Sequence, residues 1–552
     1  MCFVRSSFTR GFIRVTCLLL LSRNIYAQPE STPMPAPGQV TGAVTAPAVA
    51  ASPEPSEGSE EKSGGTLRDL FRTFLPGLDE ESDHEETPST IDSDASDLIS
   101  PQDLLSEEEI RLARPWQPGD FTGQKEALGW NDSLFNVPPS LAVRVGFWQD
   151  VYSKYTSNQG VIHDKIFLNI IYETIDFSAI MSDPNRTTFQ KVRLREKLVK
   201  ERKKAIAERL KQLQGVTNPN SLSGDDLRYW KLFEKVADLN KFKHASEKGR
   251  IRFQLGQRDR FIVGIYHSGR YLREMEKVFR DEKLPIELTR LPFVESSFNI
   301  RARSRVGASG IWQFMRRTSR HVLVINRDVD ERNDPLRATH ASARLLKQNF
   351  QTLQSWPLAI TAYNHGTTGV QRIVNDMKTT DISEIIEGYV SRRFGFASEN
   401  FYACFLAALL TERNADKIFG HVKWGPALDA QEVKLRQPIA FKILTQFFDG
   451  DESAADLANP HILARSRKGH DLIPASTYIR VPSSRAQLAE DFEAGRLNAS
   501  ALSLQLKEKP LLKAALPAPP LIAAPPPVSL PSSTRTLVPA PTPLPVHESL
   551  AH

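Results

Sequence analysis

Glu295 is the residue around which chemistry is most readily assembled in this chain. Together with Ser296 it closes the run LPIELTRLPFVES, in which Leu288, Leu291 and Val294, with Phe298 beyond, recur at three- and four-residue spacing. That spacing is the signature of one apolar helical stripe, and Pro285 suits its first turn. Pro292 removes a backbone donor, so it is expected to kink or tighten the helix near its end. A glutamate at the end of an apolar stripe is poorly solvated, which penalises its charged form and raises its pKa. A carboxyl held neutral near neutral pH can serve as a general acid.

A single Glu-Ser pair carries little information, and what raises its significance is the company it keeps. Gly307-Ala308-Ser309 leads into Gly310-Ile311-Trp312-Gln313, then comes Ala362-Tyr363-Asn364-His365-Gly366, and Asn400-Phe401-Tyr402 follows in an apolar helical run. Gly307 and Gly310 permit backbone conformations and close approaches that a side chain would block. Gln313 can both donate and accept hydrogen bonds.

In these motifs, their order and their spacing, the chain resembles the lytic transglycosylases of the bacterial cell wall. The resemblance is to the soluble-lytic-transglycosylase (SLT) domain of the membrane-bound murein transglycosylase D-like type, whose turn often carries a tryptophan where Trp312 stands. It runs from about Arg250, through Gly256-Gln257-Arg258 and Ser268-Gly269-Arg270-Tyr271-Leu272, to about Leu410, and more weakly from Phe147 to Pro482. It implies a mainly α, lysozyme-like (goose-type) catalytic domain. It further implies that Glu295 protonates the glycosidic oxygen between N-acetylmuramic acid and N-acetylglucosamine. Glu295 then accepts the proton of the muramoyl C6 hydroxyl, which attacks the anomeric carbon of the same sugar and leaves a 1,6-anhydro end. The substrate-binding residues carried over are Ser296, near the Glu295 carboxyl or the substrate acetamido group, Gln313, Tyr363, Asn364 and Tyr402.

Glycosidases usually employ two carboxylates, yet Ser296 to Arg327 contains no Asp or Glu and seven arginines. The next acids, Asp328, Asp330, Glu331 and Asp334, read as a turn and helix cap leading into Leu336 to Phe350. Intramolecular attack suits a site with one carboxylate, because the substrate itself positions the nucleophile. Glu399 stands before Asn400 where the resemblance leads to a basic residue. A second acid near the cleft would make a hydrolytic muramidase, and a non-catalytic peptidoglycan-binding scaffold is the reading from a different class.

The elements that must position these residues divide the chain as follows. Residues 1–27 carry Arg5, Arg10 and Arg14 ahead of a short apolar run and read as a secretory signal. In that run Cys17 is followed rather than preceded by leucines, the reverse of a lipoprotein signal. Residues 28–112 are rich in Pro, Ser and acidic residues and bury too little apolar surface to order. Residues 113–249 are expected to form a helical platform. Within it, Val143 to Tyr155 reads as a helix with Val143, Phe147, Val151 and Tyr155 on one face, Val161 to Phe177 as a β-hairpin, and Thr187 to Gln214 as a long charged helix. Residues 250–420 form the catalytic domain. Residues 421–500 form a small α/β module resembling a degenerate LysM-type unit, and residues 501–552 a Pro-rich disordered tail.

The formal net charge of +6 is modest for 552 residues. The basic helix mixes its lysines with glutamates and no nucleic-acid motif accompanies it, so nucleic acid is not an expected partner. Peptidoglycan strands are, and cell-envelope proteins are open to the Pro-rich tails; attachment to a membrane is left open. The three cysteines, Cys2, Cys17 and Cys404, leave one thiol in the mature chain, read as core. No metal-ligand cluster or cofactor motif is present.

Overall fold

A computed structural model describes residues 134–304 and 306–508, together with Leu511. The secretory signal with Cys17, the acidic linker, the first part of the platform and the Pro-rich tail beyond residue 508 lie outside the described residues. The architecture is mainly α, and its apolar residues gather into three cores.

Helix α1 (Ala142–Ser153) opens the described chain and buries Val145, Phe147, Trp148, Val151 and Tyr152. The stripe expected from sequence included Val143, which is 51% exposed. A strict four-residue repeat overshoots the helical turn by about 40° at each step, so Val143 and Tyr155 cannot share a face. Tyr155 is buried beyond the helix end. All five buried residues of α1 belong to the main core.

The expected hairpin forms as β1 (Gln159–Asp164) and β2 (Ile171–Asp176), antiparallel. Asp164 shapes its loop by accepting from the backbone N–H groups of Ile166 and Phe167, both at 2.8 Å. Helix α2 (Thr188–Gln214) starts on a capping box between Thr187 and Gln190, which satisfies two otherwise orphaned backbone donors. Strand β3 (Ile251–Leu255) then pairs with the free edge of β1, giving the order β2-β1-β3. The platform is therefore not purely helical. Its sheet takes a strand from beyond position 250 and packs with α2 in the second core.

Helices α3 (Arg258–Ser268) and α4 (Leu272–Asp281) lead to the Glu295 segment. Pro292 acts earlier than expected: Ile286–Arg290 is a 3-10 helix, and a separate short helix α5 (Leu291–Ser296) begins with Pro292 in its first turn. There a missing N–H costs nothing, so the proline starts a helix rather than bending one. After α5 the chain turns sharply, with Ser297 and Phe298 both at positive φ (49° and 56°). Gly264 of α3 lies so close that an added Cβ would sit 2.8 Å from the Ser297 carbonyl oxygen.

A tight hairpin of β4 (Ala308–Ser309) and β5 (Phe314–Met315) follows, then the short α6 (Arg316–Ser319). Helix α7 (Pro335–Leu353) is capped by Asp334, whose carboxylate accepts from the N–H groups of Leu336 and Arg337. This is the cap expected from sequence. Helices α8 (Trp356–His365), α9 (Thr367–Met377) and α10 (Phe396–Arg413) complete the main core; α10 is buried along nearly its whole length and packs on α1, α5 and α8.

The small module runs β6 (Gln431–Lys434), α11 (Phe441–Gln446), α12 (Glu452–Ala458), β7 (Tyr478–Val481), with β6 and β7 antiparallel. Helices α13 (Ala486–Glu493) and α14 (Ala499–Glu508) close the third core. Leu502 and Leu506 are buried there. The Pro-rich tail therefore does not begin at residue 501, because α14 is an apolar-faced helix of the module.

Candidate active site

The site is built from the end of α5 outward. Glu295 is 3% exposed, and neither carboxyl oxygen has a hydrogen-bond partner among the described residues. Burial alone pushes its pKa well above the usual carboxylate range. Three side chains from three helices feel its charge: Tyr152 of α1, Tyr363 of α8 and Cys404 of α10. Each is buried, and burial first, with the Glu295 charge adding to it, raises each above its ordinary value. The carboxyl is thus buried, without a partner among the described residues, and ringed by groups that themselves resist ionisation.

The turn Gly310–Gln313 is fixed against this pocket from both sides. Ser296 Oγ donates to the Ile311 carbonyl at 2.9 Å, and Tyr363 OH donates to the next carbonyl, that of Trp312, at 2.9 Å. Gln313 has a positive φ of 48° and donates through Nε2 to the Gly310 carbonyl at 2.8 Å and the Ala302 carbonyl at 3.2 Å. Gly310 is required twice over, by its φ of 79° and because a Cβ would lie 1.8 Å from the Arg332 carbonyl oxygen. Arg332 in turn donates to the carbonyls of Gly307 at 2.7 Å and Phe314 at 3.0 Å, clamping the hairpin. Ser309 Oγ adds a 2.6 Å bond to Asn333 Oδ1.

The sequence expectations fare unevenly in this geometry. Ser296 does not bond to the Glu295 carboxyl, since its hydroxyl is spent on backbone carbonyls. The donor half of Gln313 is likewise committed to the turn. Trp312 is core, stacked on Phe279 at 6.0 Å and donating to Thr339 Oγ1 at 2.9 Å. Asn364 accepts from Ser398 Oγ at 2.9 Å while its own Nδ2 is buried without a partner. Its neighbour His365 also meets Ser398 Oγ, at 3.2 Å, and burial lowers its pKa to about 4. Tyr402 lies in the main core beside Phe405 and makes no hydrogen bond to the turn or to Glu295; burial raises its pKa.

Glu399 and Glu295 do not act on each other's charge. Burial raises the Glu399 pKa, opposed by Lys165, Arg144 and Arg252, and Glu295 is not among the groups acting on it. Beside it, Arg144 and Trp148 both donate to Asn400 Oδ1, at 3.1 and 3.3 Å. Among the described residues no group of His, Cys, Asp and Glu could hold a metal ion.

Two neighbours of Glu295 escape sequence reasoning. Tyr152 sits on a helix far upstream that reads as platform, and Cys404 reads as filler in an apolar run. A sequence signal for Tyr152 existed only in its place four residues after Trp148, on the face that packs into the main core.

Residues 275–386 match the family model of the Transglycosylase SLT domain. The chain carries an SLT domain. The match takes in Glu295, Ser296, Gln313, Tyr363 and Asn364 and ends before Tyr402 and Cys404, with Tyr152 upstream of it. A stretch of 101 residues is 34% identical to membrane-bound lytic murein transglycosylase D of Escherichia coli (strain K12), covering 18% of this chain and 22% of that protein. A stretch of 107 residues is 34% identical to a putative tributyltin chloride resistance protein of Alteromonas sp. (strain M-1), covering 19% of this chain and 50% of that protein. The chain thus matches between about a fifth and a half of the length of these relatives. The SLT domain accounts for the mainly α, lysozyme-like class expected of the central region.

Proposed function

We propose that this protein is a peptidoglycan lytic transglycosylase in which Glu295 acts first as general acid and then as general base. The observation that carries the reading is the Glu295 carboxyl itself, buried and without a partner among the described residues, with burial pushing its pKa well above the usual carboxylate range. A neutral carboxyl can donate its proton to the oxygen of the bond between N-acetylmuramic acid and N-acetylglucosamine. The carboxylate left behind accepts the proton of the muramoyl C6 hydroxyl as that oxygen attacks the anomeric carbon, closing the 1,6-anhydro ring. Each proton taken is one given back, and no water is consumed. Among the described residues no second carboxylate acts on the charge of Glu295, which favours this course over hydrolysis, in which a second acid would activate water or form a covalent intermediate.

In this reading the other residues hold the acid and the saccharide in register. Ser296, Tyr363 and Gln313 keep the turn beside Glu295 rigid, leaving the Gln313 amide oxygen to accept from a sugar hydroxyl or acetamide. Asn364 contributes Nδ2 as a donor to the glycan, and Tyr402 supports the far wall of the cleft. The protein works in the cell envelope, exported by its N-terminal signal, with peptidoglycan strands as its partner and no cofactor. An enzyme of murein is also what the name of the Escherichia coli relative describes.

The test is mass analysis of soluble products released from purified peptidoglycan by the full chain and by Glu295→Gln. Muropeptides ending in 1,6-anhydro-muramoyl residues from the wild type alone are expected. Reducing muramoyl ends would mean that water attacks, and release of nothing with retained binding to peptidoglycan would mean a scaffold.

A further inference from the structure

The segment between α5 and the Asp328 turn carries a charge pattern that the chemistry at Glu295 does not use. Ser296 to Arg327 holds seven arginines and no acid. Two of the described arginines are neutralised at the surface: Arg301 pairs with Asp456 at 2.5 Å, and Arg327 with Asp328 and Asp471. Arg303, Arg316 and Arg320 are exposed, and their side chains have no ion pair or hydrogen bond among the described residues.

Their positions cluster on the hairpin that backs the pocket. Arg303 bridges to Ser309, Ser309 pairs with Phe314, and Arg316 follows β5 directly, opposite the Gly307 end of the ladder. Two strand spacings, about 10 Å, therefore separate the backbones of Arg303 and β5. Arg320 and His321, also exposed, continue the surface past α6. The nearest acids in sequence are committed elsewhere: Asp330 pairs with Arg332, Glu331 accepts from the Val324 N–H, and Asp334 caps α7. An unpaired cationic surface beside a substrate cleft concentrates anions at that cleft, and guanidinium groups are suited to carboxylates, which they bind bidentately.

We infer that Arg303, Arg316 and Arg320 form a subsite for the peptide carboxylates of the glycan strand being cut, so that the enzyme selects peptide-bearing over peptide-free strands. The inference rests on the proposed action on peptidoglycan and adds what the strand must carry. A peptide linked to a sugar held at Glu295 carries its carboxylates out beyond the sugar toward these arginines, whereas a strand stripped by an amidase keeps only the lactyl carboxylate, fixed close to the muramoyl ring. The exposed Val306, Val322 and Val324 lie on this segment too; they are the feature an anionic membrane surface would use instead, and that is the competing outcome to test.

The experiment compares the full chain with its Arg303→Gln, Arg316→Gln, Arg320→Gln triple variant on two substrates. One is peptide-bearing glycan strands, the other the same strands stripped of peptide by an amidase, each at low and raised salt. All three side chains are exposed, and unchanged circular dichroism checks that folding is unaffected. On peptide-bearing strands the variant is expected to raise KM about tenfold at low salt, with kcat unchanged and the difference shrinking as salt screens the charges. On stripped strands KM and kcat should be those of the wild type. Equal losses on both strands, or none on either, would overturn the inference. So would loss of binding to vesicles of anionic phospholipid with KM on strands unchanged, which would assign the surface to a membrane. Normal anhydro products from stripped strands would leave the lyase reading standing while the peptide subsite failed; absence of anhydro products from every strand would remove that reading, and this one with it.

Discussion

Two buried acids, Glu295 and Asp334, share one protein interior and have opposite fates. Glu295 is 3% exposed and Asp334 0%. Burial raises both, yet only Glu295 stays raised, whereas Asp334 is brought down to about 2 by Arg480, then His461, and by the hydrogen bonds around it. Arg480 of β7 bonds to Asp334 Oδ2 and donates to Glu432 Oε2 at 3.2 Å. His461 Nδ1 lies 3.3 Å from the same Asp334 oxygen, while Asp334 Oδ1 accepts from the Leu336 and Arg337 N–H groups, both at 3.0 Å. Burial does not by itself make a proton donor. Burial without partners does, and burial with partners makes a fastener, here one that joins α7 to the small module.

The largest effect expected from breaking this comparison is on stability. Asp334→Ala leaves the buried Arg480 with only the partly exposed Glu432 as a carboxylate partner and removes the cap of α7, and should cost about 3–5 kcal/mol of unfolding free energy, read by chemical denaturation. Glu295→Gln should do the reverse in kind. Activity should fall about 100-fold or more, while stability is unchanged or improved, because an unpartnered buried acid is replaced by a neutral amide.

The pH dependence sharpens the contrast, since the two signs are opposite. Asp334 has a depressed folded-state pKa, so its contribution is present above its unfolded value of about 3.9 and is lost as pH falls from there through about 2. Glu295 has a raised folded-state pKa. Its folded form is favoured below its unfolded value of about 4.3, and that advantage is lost as pH climbs toward the folded pKa. Denaturation midpoints measured across pH should therefore show an acid-side loss that Asp334→Asn abolishes and a neutral-side decline that Glu295→Gln flattens. Turnover should fall on the alkaline side as Glu295 ionises. The smallest effect belongs to Ser296→Ala. Losing one bond to the Ile311 carbonyl should cost about 1 kcal/mol, and turnover should fall modestly with KM nearly unchanged, because the turn loosens while the acid remains.

How much of this was legible in sequence follows the same divide. Glu295, the turn glycines and the helix cap at Asp334 were readable because local pattern decides them: an apolar stripe, a turn that demands positive φ, and a carboxylate before a helix. The hairpin after Val161 was readable for its β-branched and aromatic density. The ring around Glu295 was not, since Tyr152 and Cys404 reach it only through packing between α1, α5 and α10, distant in the chain. The backbone bonds of Ser296 are not legible either, because the turn returns its carbonyls to α5, which no spacing announces. Nor did sequence show that Asp334, besides capping α7, meets Arg480 almost 150 residues later, or that the module keeps a further helix, Ala499–Glu508, ahead of the first proline of the tail.

The central claim is that Glu295 stays protonated where an ordinary carboxyl has ionised. It is tested most directly by infrared difference spectra, wild type minus Glu295→Gln, recorded from pH 4 to pH 8. A protonated-carboxyl band that persists well above pH 5 and is missing from the variant is the predicted result. A band that disappears near the ordinary glutamate pKa of about 4.3 would show that Glu295 is ionised at neutral pH, and would contradict its role as the acid.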